Sequence, residues 1–66
     1  MRIVVNGAPR VLDKERSVAD LLAALGLEAE AVVVERNGEI VTSARFCKTG
    51  LVENDRLEVL RFVGGG

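Results

Sequence analysis

Histidine, tryptophan, tyrosine and glutamine are all missing from this 66-residue chain, which has one cysteine, one proline and two phenylalanines. Each shortage closes off a kind of chemistry. Without histidine there is no side chain of the type that most often shuttles protons near neutral pH or binds metals. A lone Cys47 forms neither an internal disulfide nor a four-cysteine cluster or zinc site. Lys14 and Lys48 are the only lysines. Acids and bases are interspersed to a net charge of −1, so no basic stripe suggests nucleic-acid binding and no acidic run suggests a disordered tail. The first apolar run, Ile3-Val4-Val5, is far too short for a signal-peptide core or a membrane span. The composition therefore predicts a cytoplasmic protein with no membrane or nucleic-acid partner.

Aliphatic side chains are plentiful: hydrophobic residues make up 48% of the chain. At this length one domain forms, and it buries only about 60% of the surface its unfolded chain exposes. Such a core can be dense but leaves no room for a deep cofactor pocket, and no bound cofactor is expected.

The local signals follow one another clearly. Residues 1–6 end in Asn6-Gly7, the dipeptide best suited to a two-residue hairpin, and residues 10–13 return as a second strand. Pro9 has no amide donor and belongs at an edge or in the turn. Ser17-Val18-Ala19-Asp20 is a helix-start pattern, and Val18, Leu21, Leu22 and Leu25 form a single apolar stripe. Gly26 stands where a left-handed C-cap is needed, so the helix covers residues 18–25. A second hairpin pairs residues 31–36 with 39–41 about Asn37-Gly38. Residues 42–55 read as a loop with a short strand near 44–46. The last strand, 56–63, carries apolar residues on both faces, Leu57 and Val59 on one, Leu60 and Phe62 on the other, which predicts a central position. Hairpin, helix, hairpin, loop and strand close most economically as an α+β fold of β-grasp type. It has a mixed sheet of four or five strands, with one main helix packed on one face, as in ubiquitin.

The domain is expected to span residues 1–63, with residues 64–66 as a flexible glycine tail. Three glycines thread narrow channels that side chains would block and reach about 10 Å beyond the last strand. Read alone, they fit a frayed end or a linker equally well. A carboxylate on Gly66 would be anionic at neutral pH and inert until a partner activates it with ATP.

The blocks Met1-Arg2-Ile3-Val4-Val5-Asn6-Gly7, Val18-Ala19-Asp20-Leu21-Leu22 and Val33-Val34-Glu35-Arg36-Asn37-Gly38-Glu39-Ile40-Val41 resemble the thiamine-biosynthesis sulfur carrier family, ThiS. So does the ending from Asn54-Asp55-Arg56 to Phe62-Val63-Gly64-Gly65-Gly66. One departure is Glu53-Asn54-Asp55, where a glycine often precedes the aspartate.

The resemblance implies that Gly66, carried on Gly64 and Gly65, is adenylated by an E1-like enzyme of ThiF type. A cysteine desulfurase system then supplies sulfur, and the resulting thiocarboxylate donates it to a thiazole synthase of ThiG type. The domain would be a carrier without a catalytic site of its own. Alternatives are a carrier for molybdopterin synthase or tRNA thiolation, a ubiquitin-like modifier joined to lysines, and an interaction module with an inert tail.

An apolar patch of Val4, Leu60 and Phe62, rimmed by Arg61 and Arg56, is the expected docking surface beside the tail. Cys47 reads as an ordinary loop thiol and Phe46 as a core or lid residue. Asp13, Asp20 and Glu35 show no spacing that pairs them.

Overall fold

The computed structural model describes residues 1–62. The strands are β1 (Arg2–Val5), β2 (Ala8–Val11), β3 (Val32–Arg36), β4 (Glu39–Val41) and β5 (Arg56–Arg61), and the helix is α1 (Val18–Ala24). They form one mixed sheet in the order β2-β1-β5-β3-β4, with β5 parallel to β1 and antiparallel to β3. β5 is central, as its two-sided apolar pattern predicts.

Both hairpins turn on Asn-Gly pairs with positive φ, 51° and 81° at Asn6-Gly7 and 52° and 87° at Asn37-Gly38. This backbone twist matches that of the flanking strands. Because the turn is only two residues long, β2 begins at Ala8, two residues earlier than expected, and takes in Pro9. Val5 pairs with Ala8 and Val4 with Pro9. In the alternation of an antiparallel ladder this leaves the Pro9 nitrogen on the outer edge, where the missing donor costs no hydrogen bond.

α1 is held at both ends. The Val18 and Ala19 amides donate to the Thr49 and Phe46 carbonyls, each at 3.0 Å. Asp20 donates its amide to Ser17 Oγ at 3.1 Å, and its own carboxylate accepts from the Ser17 amide. These bonds satisfy the first-turn donors that a helix leaves open. The Asp20 pKa is lowered, first by the Arg16 amide that donates to it. At the other end Gly26, at φ 72°, donates to Ala23 and Leu27 donates to Leu22, the two bonds of a glycine-centred C-cap.

The expected strand near 44–46 is instead a 3-10 turn, Ser43–Arg45. This stretch supplies carbonyls to the start of α1 and turns Phe46 inward, so extended pairing would remove both contributions. Residue 31 likewise falls in a 3-10 turn, Ala29–Ala31. The core lies between α1 and one sheet face, built from Ile3, Val18, Leu21, Leu22, Val34 and Leu57 with Phe46, Leu51 and Val59 around them. Among the described residues no helix is long and apolar enough to cross a membrane.

Candidate functional site

β5 runs from the middle of the sheet directly toward the glycine tail. Val63, Gly64, Gly65 and Gly66 lie outside the described residues, and with them the expected domain boundary at 63. The structure does define the platform on which that segment is mounted.

The start of β5 is fixed by a buried carboxylate. Asp55 is 3% exposed. It accepts from Arg36 Nε at 2.9 Å, Asn37 Nδ2 at 3.0 Å and the Val52 amide at 2.9 Å. Burial alone would raise its pKa, but the Arg36, Val52 and Asn37 donors outweigh it and hold the carboxyl below its usual value. Asn37 also accepts from the Arg56 amide at 2.9 Å and donates its own amide to the Arg56 carbonyl at 2.7 Å. The tip of the second hairpin is thus tied to the first residue of β5. Asn54 adopts φ 71°, the left-handed conformation that a glycine before the aspartate would supply. Asparagine is among the few other residues that tolerate it, so the departure from the family pattern leaves the turn intact.

Further along, Asn6 takes over where β1 stops. Its amide donates to the Leu57 carbonyl at 2.9 Å. Its side chain then accepts from the Val59 amide at 2.8 Å and donates to the Val59 carbonyl at 3.1 Å. The carboxamide acts as one more peptide group, carrying the parallel ladder past the turn. Asn6→Gly keeps the positive φ and deletes only these bonds. It is expected to cost about 1–2 kcal/mol and to speed hydrogen exchange at the Val59 amide, measured by NMR.

On the other side, β3 follows β5 through Arg61, and the Phe62 amide adds a bond to the Ala31 carbonyl at 2.8 Å. Leu60 and Phe62 share the face away from α1 and are 58% and 59% exposed. Val4 lies on the same face and is partly buried. Arg61 does not join them. It pairs with Val32, whose side chain is buried toward α1, and strand alternation puts Arg61 on that face instead. Arg56 lies on the open face, as expected.

Cys47 is exposed on the loop after the 3-10 turn, while Phe46 is a core residue. Among the described residues no group of three or more acidic, cysteine or histidine side chains is placed to hold a metal. The sequence reading missed Asp55, Arg36 and the two asparagine side chains as the parts that hold β5. The Asn-Gly pairs were visible as turns, but their tertiary hydrogen bonds left no local trace.

A five-stranded mixed sheet, one helix across one face and a central last strand define a β-grasp domain of the ubiquitin-like kind. Residues 3–66 match the model of the ThiS family, and the chain belongs to that family. It is 44% identical over 50 residues to the sulfur carrier protein ThiS of Bacillus subtilis, covering 76% of each chain. The crystal structure of the thiamine biosynthesis protein ThiS from Geobacter metallireducens is similar throughout, with a TM-score of 0.82, 40% identity and full coverage of both chains. A thiazole synthase of Paramagnetospirillum magneticum is 38% identical over all 66 residues, which span 20% of that protein's length. The chain thus corresponds to about a fifth of the thiazole synthases it matches.

Proposed function

We propose that the protein is a sulfur carrier of thiamine biosynthesis and that the carboxylate of Gly66 is its working group. The observation that carries this reading is a last strand hydrogen-bonded on both sides and followed in sequence by Phe62-Val63-Gly64-Gly65-Gly66, in a chain whose family match extends through residue 66.

The chemistry is acyl activation. A carboxylate oxygen attacks the α-phosphorus of ATP, and pyrophosphate departs to leave an acyl-adenylate. The outer sulfur of the desulfurase-derived persulfide then attacks the carbonyl carbon, and AMP leaves with the electrons of the broken C–O bond. A second thiol attacks the cysteine sulfur of the resulting acyl disulfide, forming a disulfide and releasing the acyl end with its new sulfur. The product is a thiocarboxylate, whose sulfur is nucleophilic. Glycine suits the reacting position because no Cβ crowds the carbonyl. The domain's own contribution is to hold and present that end. ATP belongs to an E1-like adenylating partner, a cysteine desulfurase is the sulfur source, and a thiazole synthase is the acceptor. The similarity to part of a thiazole synthase favours this acceptor over those of molybdopterin or tRNA pathways.

Incubation with ATP, the adenylating enzyme and the sulfur source, followed by intact-protein mass spectrometry, tests the reading. The expected product gains the mass difference between one sulfur and one oxygen. An isopeptide-linked product points instead to a protein modifier, and an unchanged mass refutes the carrier role.

A further inference from the structure

The two hairpin turns share a chemistry that the folded domain holds in check. In an Asn-Gly pair the glycine nitrogen lies next to the asparagine carboxamide, with no glycine side chain to keep them apart. Attack of that nitrogen on Cγ is the ordinary route by which asparagine is lost from proteins, and it makes asparagine thermolabile. Asn37 and Gly38 are both exposed, so water reaches them. Among the described residues no turn hydrogen bond engages the Gly38 amide. What restrains the reaction is the clasp on the carboxamide. Asn37 Oδ1 accepts from the Arg56 amide at 2.9 Å, and Nδ2 donates to Asp55 Oδ1 at 3.0 Å. A carboxamide held by both atoms is not free to swing its Cγ onto the Gly38 nitrogen.

The Asn6 carboxamide is held as well, by both backbone groups of Val59. The strands behind the two turns differ. β1 lies inside the sheet between β2 and β5, and its Ile3 is fully buried. β4 is an edge strand of three residues, two of them exposed and one partly buried. Opening the second turn therefore uncovers little surface, and short exposed elements are the ones that open most often. Of the two asparagines, Asn37 is the less guarded.

We propose that Asn37 is a site of spontaneous deamidation, and that its conversion unfastens β5 from the second hairpin. When the turn opens, the Gly38 nitrogen loses its proton to water and bonds to Asn37 Cγ. The Cγ–Nδ2 bond breaks, and the nitrogen leaves as ammonia with a proton from solvent. Water then adds to either carbonyl of the five-membered ring, giving aspartate or isoaspartate. One water is consumed and one ammonia released, with nothing oxidised or reduced. Either product damages the clasp. Aspartate puts an oxygen where Nδ2 stood, 3.0 Å from the carboxylate of Asp55, which is 3% exposed. Two carboxylates at that distance disfavour one another's charge, and among the described residues Arg36 is the one cation paired with Asp55. Isoaspartate adds a methylene to the main chain inside a two-residue turn, so the pairing of Arg36 with Glu39 is no longer matched to the turn. Each copy of the chain thus has a lifetime set by how often the second turn opens.

The test is to age the full chain for days in warm, mildly alkaline buffer and to map the products by peptide mass spectrometry, with isoaspartyl methyltransferase labelling to mark isoaspartate. Conversion at Asn37 is expected to outpace conversion at Asn6 by about 3- to 10-fold. Ageing in urea should bring the two rates close together, since the clasps are then gone; a gap of the same size in urea is set by sequence and overturns the inference. Asn37→Asp, which installs one product, should melt about 4–15 °C below Asn37→Gly, which loses the same side-chain bonds, keeps the positive φ and cannot react. Equal rates at Asn6 and Asn37 in the folded chain overturn the inference. So does an Asn37→Asp variant that melts level with Asn37→Gly, because the new charge then has no effect on the clasp. A folded chain in which neither asparagine converts, under conditions that convert both in urea, overturns it as well.

Discussion

A chain lacking Gly66 is expected to accept no sulfur while melting at the same temperature as the intact protein. The two halves of this result rest on different physics. Folding is indifferent because the core ends at Val59 and the last backbone bond among the described residues is made by Phe62. The core residues and the hydrogen bonds among the described residues are all made without the final glycine. Chemistry is sensitive because acyl activation demands that the carboxylate oxygen lie within about 3–3.5 Å of the phosphorus it attacks. Shortening the chain by one residue withdraws the carboxylate by about 3.5 Å, a displacement as large as the reacting distance itself. Appending a residue after Gly66 overshoots by the same amount and should be equally inactive. Gly66→Val keeps the length but places a branched Cβ beside the carbonyl carbon, so it separates crowding from reach. Loading is read as thiocarboxylate by mass spectrometry, with thermal melting alongside. Wild-type loading by the shortened chain would remove the basis for the assigned role.

Much of this division of labour was legible in the sequence, for reasons that particular residues make clear. Ser17 with Asp20, the stripe from Val18 to Leu25, and Gly26 each signal through neighbours within one or two helical turns. Such signals survive without knowledge of the fold. The two Asn-Gly turns belong to the same kind, and so does the two-sided pattern of β5 that places it at the centre. The 42–55 segment was misread in part because its role is tertiary. Thr49 and Phe46 lend carbonyls to amides some thirty positions earlier, and nothing in the local pattern anticipates that. Arg61 was assigned to the docking rim by proximity to Leu60 and Phe62, although alternation along an extended strand assigns adjacent residues to opposite faces. The side chains of Asn6 and Asn37 were legible as turn formers only. Their second task, carrying β5 where backbone partners run out, depends on register. The Gly66 chemistry came from the tail's composition and its family resemblance, and residues 63–66 lie outside the described residues.

Replacing Asp55 with alanine is expected to damage the body of the domain about as much as truncating a buried core side chain. The carboxylate serves three donors at once, from β3, the second hairpin turn and the loop before β5. Its removal leaves those donors without their acceptor and loosens the entry to the central strand. The expected loss is about 2–4 kcal/mol, much of the stability of a domain this small. Melting temperature should fall by on the order of 10–25 °C. Arg36→Ala should cost less, because the arginine side chain is 29% exposed while that of Asp55 is 2% exposed. Losing Arg36 leaves a carboxylate with two donors still in place. Acid should reproduce part of the Asp55 effect. The folded-state pKa of Asp55 lies below the ordinary value of 3.8, so as pH falls the unfolded chain takes up its proton first. The stabilisation is complete above about pH 4–5 and is lost as pH drops through the folded-state value. Glu15, whose pKa is lowered first by its own backbone amide and then by that of Lys14, adds a slope of the same sign, as does Asp20. Asp55→Asn, which keeps the shape but cannot titrate, should therefore be destabilised at neutral pH and show a flatter acid limb than the wild type. Urea titrations from pH 7 to pH 3 measure both. Parallel acid limbs for the two proteins, or an Arg36→Ala variant weaker than Asp55→Ala, would show that the carboxylate does not hold β5 in the way the hydrogen bonds indicate.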